Sequence, residues 1–248
     1  MFKLLTPLAL IFLFISVTAT PQELTKVYGH ELKHRLEPNG SKQYNAFFKA
    51  IKSYDIEFDL EVKPLSRSIR SFEKDKNSCL FPTSKMLVEK TIPKSVPIGT
   101  VESEPLDLIS LHVFTNNQSK TIQKLDELNG KRIAVWGGLD VNTILKDTKP
   151  IIETTANEEI RLKMLKAKRI DAILGFKPDV QLASENLGFE QPKYNTELVL
   201  YKDEPASIVC HATPENKNFI EKINKIIIKM RKSGELKTIL GGYAKVPD

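Results

Sequence analysis

His30-Glu31-Leu32-Lys33-His34 is a stretch of the 248-residue chain whose residue types and spacing could do chemistry. On a helix, two histidines four apart share one face and can bind zinc, with the intervening glutamate as general base. A catalytic zinc also needs a third protein ligand and a helix set in a cleft. The surroundings fit poorly: Gly29 and Pro38 bound the stretch, and charged Lys33 lies inside it. Glu31 and Asp140 could form an acid–base pair, with no motif behind them. No nucleophile elbow, Walker loop or dinucleotide fingerprint is present.

A second stretch, Leu128 to Leu145, offers binding rather than catalysis. Lys131 to Trp136 is a short apolar run with β-branched Ile133 and Val135, which reads as a buried strand. Gly137-Gly138 lets the backbone turn sharply and approach a ligand closely. Asp140 to Lys146 continues as a helix. Strand, glycine turn and helix N-terminus together expose free N–H groups that suit an anionic group. Most such turns in α/β proteins bind nothing, so the stretch needs support from the rest of the chain.

The elements around these stretches form two blocks. Thr25 lies in a first short strand over Leu24 to Tyr28, and Ser41 is read as the N-cap of a helix to Ser53 with Tyr44, Phe47, Phe48 and Ile51 on one face. Asp55 to Val62 alternates as a strand, Ser66 opens a short helix to Lys74, and Cys79 to Phe81 is a third strand. Thr83 to Glu104 is broken by Pro93 and Pro97 and carries no clear periodicity. Asp107 to Phe114 is a long strand, and Thr121 to Leu128 a short helix. The second block runs strand Lys131–Trp136, helix Asp140–Lys146, strand Ile151–Thr155, helix Glu158–Lys168 with Asn157 as N-cap, and strand Asp171–Gly175. Pro178 opens a further helix to Asn186. Glu197–Tyr201 and Ser207–Cys210 are strand-like. Thr213-Pro214 starts the longest helix, whose Phe219, Ile220, Ile223, Ile226, Ile227 and Met230 make a core stripe. Alternating strands and helices predict a parallel sheet with helices on its faces.

Composition narrows the function classes. Hydrophobic content of 41% and charged content of 27% describe a globular chain. The net charge of +6 is spread along the sequence, with no Lys/Arg block and no interleaved aromatic platform, so nucleic acid is not an expected partner. Lys3, the apolar run Leu4 to Val17 and the small residues Val17-Thr18-Ala19 read as a secretory signal peptide cleaved after Ala19. Cys79 and Cys210 are the only cysteines. In an oxidising compartment they could pair, closing a long loop, or remain two buried thiols.

Four motifs in order resemble the type II periplasmic solute-binding proteins. Pro64-Leu65-Ser66-Arg67 with Phe72, then Cys79-Leu80-Phe81-Pro82, is similar to the family's stretch after its second strand. Leu125 to Val135, with Asn129-Gly130-Lys131-Arg132, resembles the start of its second lobe. Met164 to Ile173, with Arg169-Ile170-Asp171-Ala172, resembles its basic–apolar–Asp-Ala strand. Phe219 to Tyr243, with Ser233-Gly234-Glu235-Leu236, resembles its terminal helices. The resemblance spans roughly residues 23 to 243.

The resemblance implies a two-lobed α/β fold with the second lobe inserted in the first. The expected division is signal peptide 1–19, lobe 1 over 20–110 and 200–248, and lobe 2 over 111–199. Hinges fall near Ile109–Phe114 and Val199–Ile208. It implies a periplasmic monomer without cofactor or catalysis, which closes on a small polar solute and delivers it to an inner-membrane ABC permease. It also sets the Cys79 strand beside the Cys210 strand, which favours the disulfide.

Amino-acid-binding members hold the α-carboxylate with an arginine near the first hinge and a hydroxyl after the second-lobe glycine, and the ammonium with an aspartate shortly after Asp-Ala. Here Phe114-Thr115 stands at the hinge, Leu139 follows Gly138, and Phe176 occupies the aspartate's place. The expected ligand contacts are Tyr28, Arg67, Trp136, Gly138, Leu139, Asp140 and Phe176, suiting a polar or anionic end on a flat or apolar body. Arg67 could equally be a surface arginine and Trp136 a core residue. A secreted zinc-dependent hydrolase built on His30 and His34, or a sensing module without transport, is the alternative.

Overall fold

The computed structural model describes residues 24–137 and 139–248. The signal peptide expected over 1–19 and the expected contact Gly138 therefore lie outside the described residues. The first block is β1 (Thr25–His30), α1 (Gln43–Lys52), β2 (Phe58–Lys63), α2 (Leu65–Lys74), β3 (Ser78–Thr83), α3 (Lys85–Thr91) and β4 (Thr100–Glu102). After β5 (Asp107–Thr115) comes the second block: β6 (Arg132–Trp136), α4 (Val141–Ile144), β7 (Ile151–Thr155), α5 (Glu158–Lys166), β8 (Ala172–Lys177) and α6 (Asp179–Asn186). The chain returns through β9 (Lys193–His211) and ends in α7 (Pro214–Lys232) and α8 (Glu235–Leu240).

The sheet order is β2-β1-β3-β9-β5-β8-β6-β7, with β4 paired to β9. β1 is parallel to β2 and β3, and β6 is parallel to β7 and β8. The two parallel triplets are joined through β9 and β5, which pair antiparallel with each other and with β3 and β8. This is the two-lobed arrangement implied by the resemblance. The two expected strands Glu197–Tyr201 and Ser207–Cys210 are one continuous β9.

Each half buries apolar residues on both faces of its strands. Phe47, Phe81, Ile208, Phe219 and Ile227 pack on one face of the first half, and Tyr28, Phe72, Leu80 and Val209 on the other. In the second half, Ile133 and Val135 face one cluster and Ala134 the other, as strand alternation requires. The whole predicted stripe of α7 is buried.

Several boundaries differ from expectation. The N-cap of α1 is Lys42 rather than Ser41. Thr121–Leu128 shortens to a 3-10 turn over Leu125–Leu128, and the helix after Trp136 to the four residues of α4. The irregular stretch after Thr83 holds α3, capped by the Ser84 side chain on Leu87 N–H, and the short strand β4. Cys79 and Cys210 lie opposite each other in the β3–β9 register and form a disulfide.

Candidate functional site

The carboxyl ends of the parallel strands in both halves converge on one cavity of 240 Å³. That is where open α/β sheets leave a crevice for ligands. From the first half come His30 at the end of β1, Pro82 and Thr83 at the end of β3, and Leu87 and Val88 of α3. From the second come Trp136 at the end of β6, Leu139 and Asp140 before α4, and Phe176 of β8. Ile109, Tyr201 and Glu204 reach it from the crossing strands β5 and β9.

Four expected contacts, Trp136, Leu139, Asp140 and Phe176, are thus brought together on this wall. Asp140 caps α4 by accepting from Thr143 N–H at 3.2 Å, and Thr143 holds its carboxyl below the usual range. Tyr28 and Arg67 stand apart from the cavity lining. Tyr28 packs with Phe72 and Leu80, and its hydroxyl donates to Asp75 Oδ2 at 3.0 Å. Arg67 is exposed on α2.

A second cavity of 540 Å³ shares Leu32, Leu65 and Trp136 as a common wall with the first. It is more polar, with Glu31, Lys33 and the Asn157-Glu158 start of α5. Glu31 lines this cavity and Asp140 the other, so the conceivable acid–base pair is not assembled.

The His30–His34 stretch is not a helix. His30 ends β1, the chain then folds so that Leu32 pairs with Leu36, and His34 adopts a positive φ of 78°. The two imidazoles therefore do not share a helix face, which removes the geometry the zinc motif needs. His30 Nδ1 hydrogen-bonds Ser68 Oγ. Burial lowers its pKa to about 3, so the ring is neutral near pH 7. Among the described residues no group of three or more His, Cys, Asp or Glu side chains is placed to hold a metal.

The same turn instead touches the second half. Lys33 Nζ lies 2.9 Å from Glu159 Oε2 and His34 Nε2 lies 3.0 Å from Glu159 Oε1, with Glu159 on α5. Lys33, and then His34, hold the Glu159 carboxyl below its ordinary range. Arg35 is 1% exposed and pairs with Asp107 at the start of β5 and with Asp179 at the start of α6. Tyr44 donates to Asp107 Oδ1 at 2.6 Å and also contacts the Arg35 guanidinium. Gly175 permits this packing, since a Cβ there would overlap Val180 of α6. Sequence reasoning passed over Arg35, Asp107, Asp179 and Glu204. Isolated charges in a sequence look like surface; their burial is decided by partners distant in the chain.

No protein-family profile matches the chain, and no curated relative matches it. Solved structures do. The GluR0 ligand-binding core from Nostoc punctiforme in complex with L-glutamate is 17% identical, with a TM-score of 0.69 over 87% of this chain and 96% of that one. An arginine third transport system periplasmic binding protein from Legionella pneumophila is 16% identical, with a TM-score of 0.63 over 89% of this chain and 100% of that one. The substrate-binding protein of an amino acid ABC transporter is 18% identical, with a TM-score of 0.63 over 89% of this chain and 99% of that one. At these identities the likeness defines the fold: the chain has the two-lobed type II periplasmic-binding-protein architecture.

Proposed function

We propose that the protein is an extracytoplasmic solute-binding protein. It captures a small polar solute between its lobes and presents it to an inner-membrane ABC permease. The observation that carries this reading is the 240 Å³ cavity, walled from both halves at the ends of the parallel strands and crossed by β5 and β9. The resemblance of the fold to transport-system binding proteins supports it. In this reading the leader over 1–19 directs the chain to the periplasm. Lobe 1 comprises 20–110 and 200–248, lobe 2 comprises 111–199, and the monomer works without cofactor or catalysis.

The mechanism is closure. A solute that contacts both walls binds the closed form better than the open one and shifts the population toward it. Trp136, Leu139, Asp140 and Phe176 supply the lobe 2 side of the grip, and His30, Thr83 and Leu87 the lobe 1 side. Tyr28 and Arg67 lie outside the cavity wall.

Trp136 is the only tryptophan and is half-buried at the cavity, so it reports on binding. Titration with amines, amino acids, organic acids and sugars is expected to give one class that shifts Trp136 fluorescence and raises Tm together. Silence across the panel, with hydrolysis of a test peptide and a stoichiometric zinc lost on His34→Ala, would replace this reading by the hydrolase.

A further inference from the structure

The charge of the solute can be read from the cavity wall; this step rests on the solute-binding reading. Two carboxylates on that wall are nearly fully buried, Asp179 at 5% and Glu204 at 8% exposure. Asp179 Oδ1 has no hydrogen-bond partner among the described residues. Its other oxygen, Oδ2, lies 3.6 Å from Arg35 Nη1. Glu204 accepts from the Ser84 hydroxyl and has no ion-pair partner among the described residues.

The cations on the wall do not offset this. Arg35 is shared between Asp107 and Asp179, with Tyr44 also at its guanidinium, and Arg161, the other cation acting on Asp179, is paired with Glu158. Lys90 is exposed and close enough to Asp140 to lower that carboxyl's pKa. An anionic ligand group would meet more buried carboxyls than buried cations, since Asp107 and Asp179 share Arg35 and Glu204 has no ion-pair partner among the described residues, which is strongly unfavourable in a closed cleft. Burial raises the Asp179 carboxyl to about 7, so it is partly protonated in the free protein; a cationic group favours its ionised form and satisfies its orphan oxygen with a charge-assisted hydrogen bond. The faces of Trp136, Phe176 and Tyr201 on the same wall also attract cations, and the Leu, Ile and Val side chains around them suit an apolar body.

We propose that the solute is an organic cation: a protonated amine on an aromatic or aliphatic body, without a carboxylate. Its ammonium is held at Asp179, and Glu204 keeps the potential of the cavity negative.

The test is a charge series on a constant body, titrated calorimetrically and by thermal shift against the intact protein. 2-Phenylethylamine, phenylalanine and 3-phenylpropionate carry net charges of roughly +1, 0 and −1 near pH 7. The same series is run on indolyl and butyl bodies. The expected result is that an amine binds at least about tenfold tighter than the zwitterion and anion of its body. Asp179→Asn is expected to weaken the amine by about tenfold or more and to narrow the gap. Equal or tighter binding of the zwitterion or the anion overturns the assignment, and needs no variant to fold. Binding of amino acids, acids or sugars with no response to any amine overturns it while leaving solute binding intact. No response to any compound overturns both readings.

Discussion

Arg35 Nη1 lies 3.6 Å from Asp179 Oδ2, and this ion pair joins the turn after β1 to the first residue of α6, in the other half of the molecule. Arg35 also pairs with Asp107 at 2.5 Å, at the start of the crossing strand β5. One guanidinium thus ties both lobes to a strand that runs between them. The arrangement is a buried charge network, whose stability depends on every member being present.

Arg35→Met leaves Asp107 and Asp179 buried without their counter-ion. The expected loss is about 3–5 kcal/mol of unfolding free energy, measured by urea denaturation. Asp179→Asn removes one charge and keeps the shape, so it is expected to lose clearly less. A change of under about 1 kcal/mol for Arg35→Met would mean that the network carries no such weight.

Glu159→Gln removes the carboxylate charge shared by Lys33 and His34 across the lobes, leaving one oxygen to accept. Lys33 is 40% exposed in its side chain, so the pair is worth about 1 kcal/mol or less. The expected result is a ligand Kd raised by up to about fivefold, with a larger radius of gyration in the ligand-free protein by small-angle scattering. An unchanged Kd and radius would remove this contact from closure.

Two buried groups make opposite pH demands. Burial lowers the His30 pKa from 6.5 to about 3, so its contribution is present above 6.5 and is lost as pH falls toward 3. Burial raises Asp179 from 3.8 to about 7, so its contribution is present below 3.8 and is lost as pH rises through about 7. Between these limits the two slopes oppose each other. His30→Gln removes one contribution that is lost on acidification, while His112 and His211, whose pKa values burial also lowers, keep theirs in both proteins. From pH 6.5 to about 5 the variant should gain about 2 kcal/mol relative to the unsubstituted protein. Parallel stability–pH curves for the two proteins would contradict the neutral buried His30.

Cys79 and Cys210 are 131 residues apart in sequence and directly opposed in the sheet. Opening so long a loop releases unfolded-chain entropy worth up to about 5 kcal/mol. Cys79→Ala with Cys210→Ala is expected to lower the urea midpoint markedly, and thiol titration of the denatured, unreduced parent is expected to find no free thiol. Two titratable thiols there would show that the pair is not oxidised.

The halves of the fold were legible because they depend on local periodicity. The Tyr44–Ile51 spacing, the alternation through Phe58 to Val62 and the α7 stripe each bury a face whose pattern is written over a few turns or residues. The second half of the cavity wall was legible too, since Trp136, Leu139 and Asp140 follow one strand end. The first-half wall was not, because α3 and β4 lie in a stretch broken by prolines and are held by contacts elsewhere, such as the pairing of Val101 with Cys210.

Sequence by itself determined where most strands and helices run, that they alternate, and that two cysteines were available to pair. Tertiary structure decided which charges are buried. Arg35, Asp179 and Glu204 come from three separate segments, and only the crossing of β5 and β9 sets them around one cleft, with Asp107 buried behind Arg35. It also decided the fate of His30 and His34. Spacing allows them a shared helix face, but the backbone leaves β1 into a tight turn at positive φ, so one ring is buried against Ser68 and the other faces Glu159. A side chain's chemistry follows its partners, and partners far apart in sequence exist only once the chain has folded.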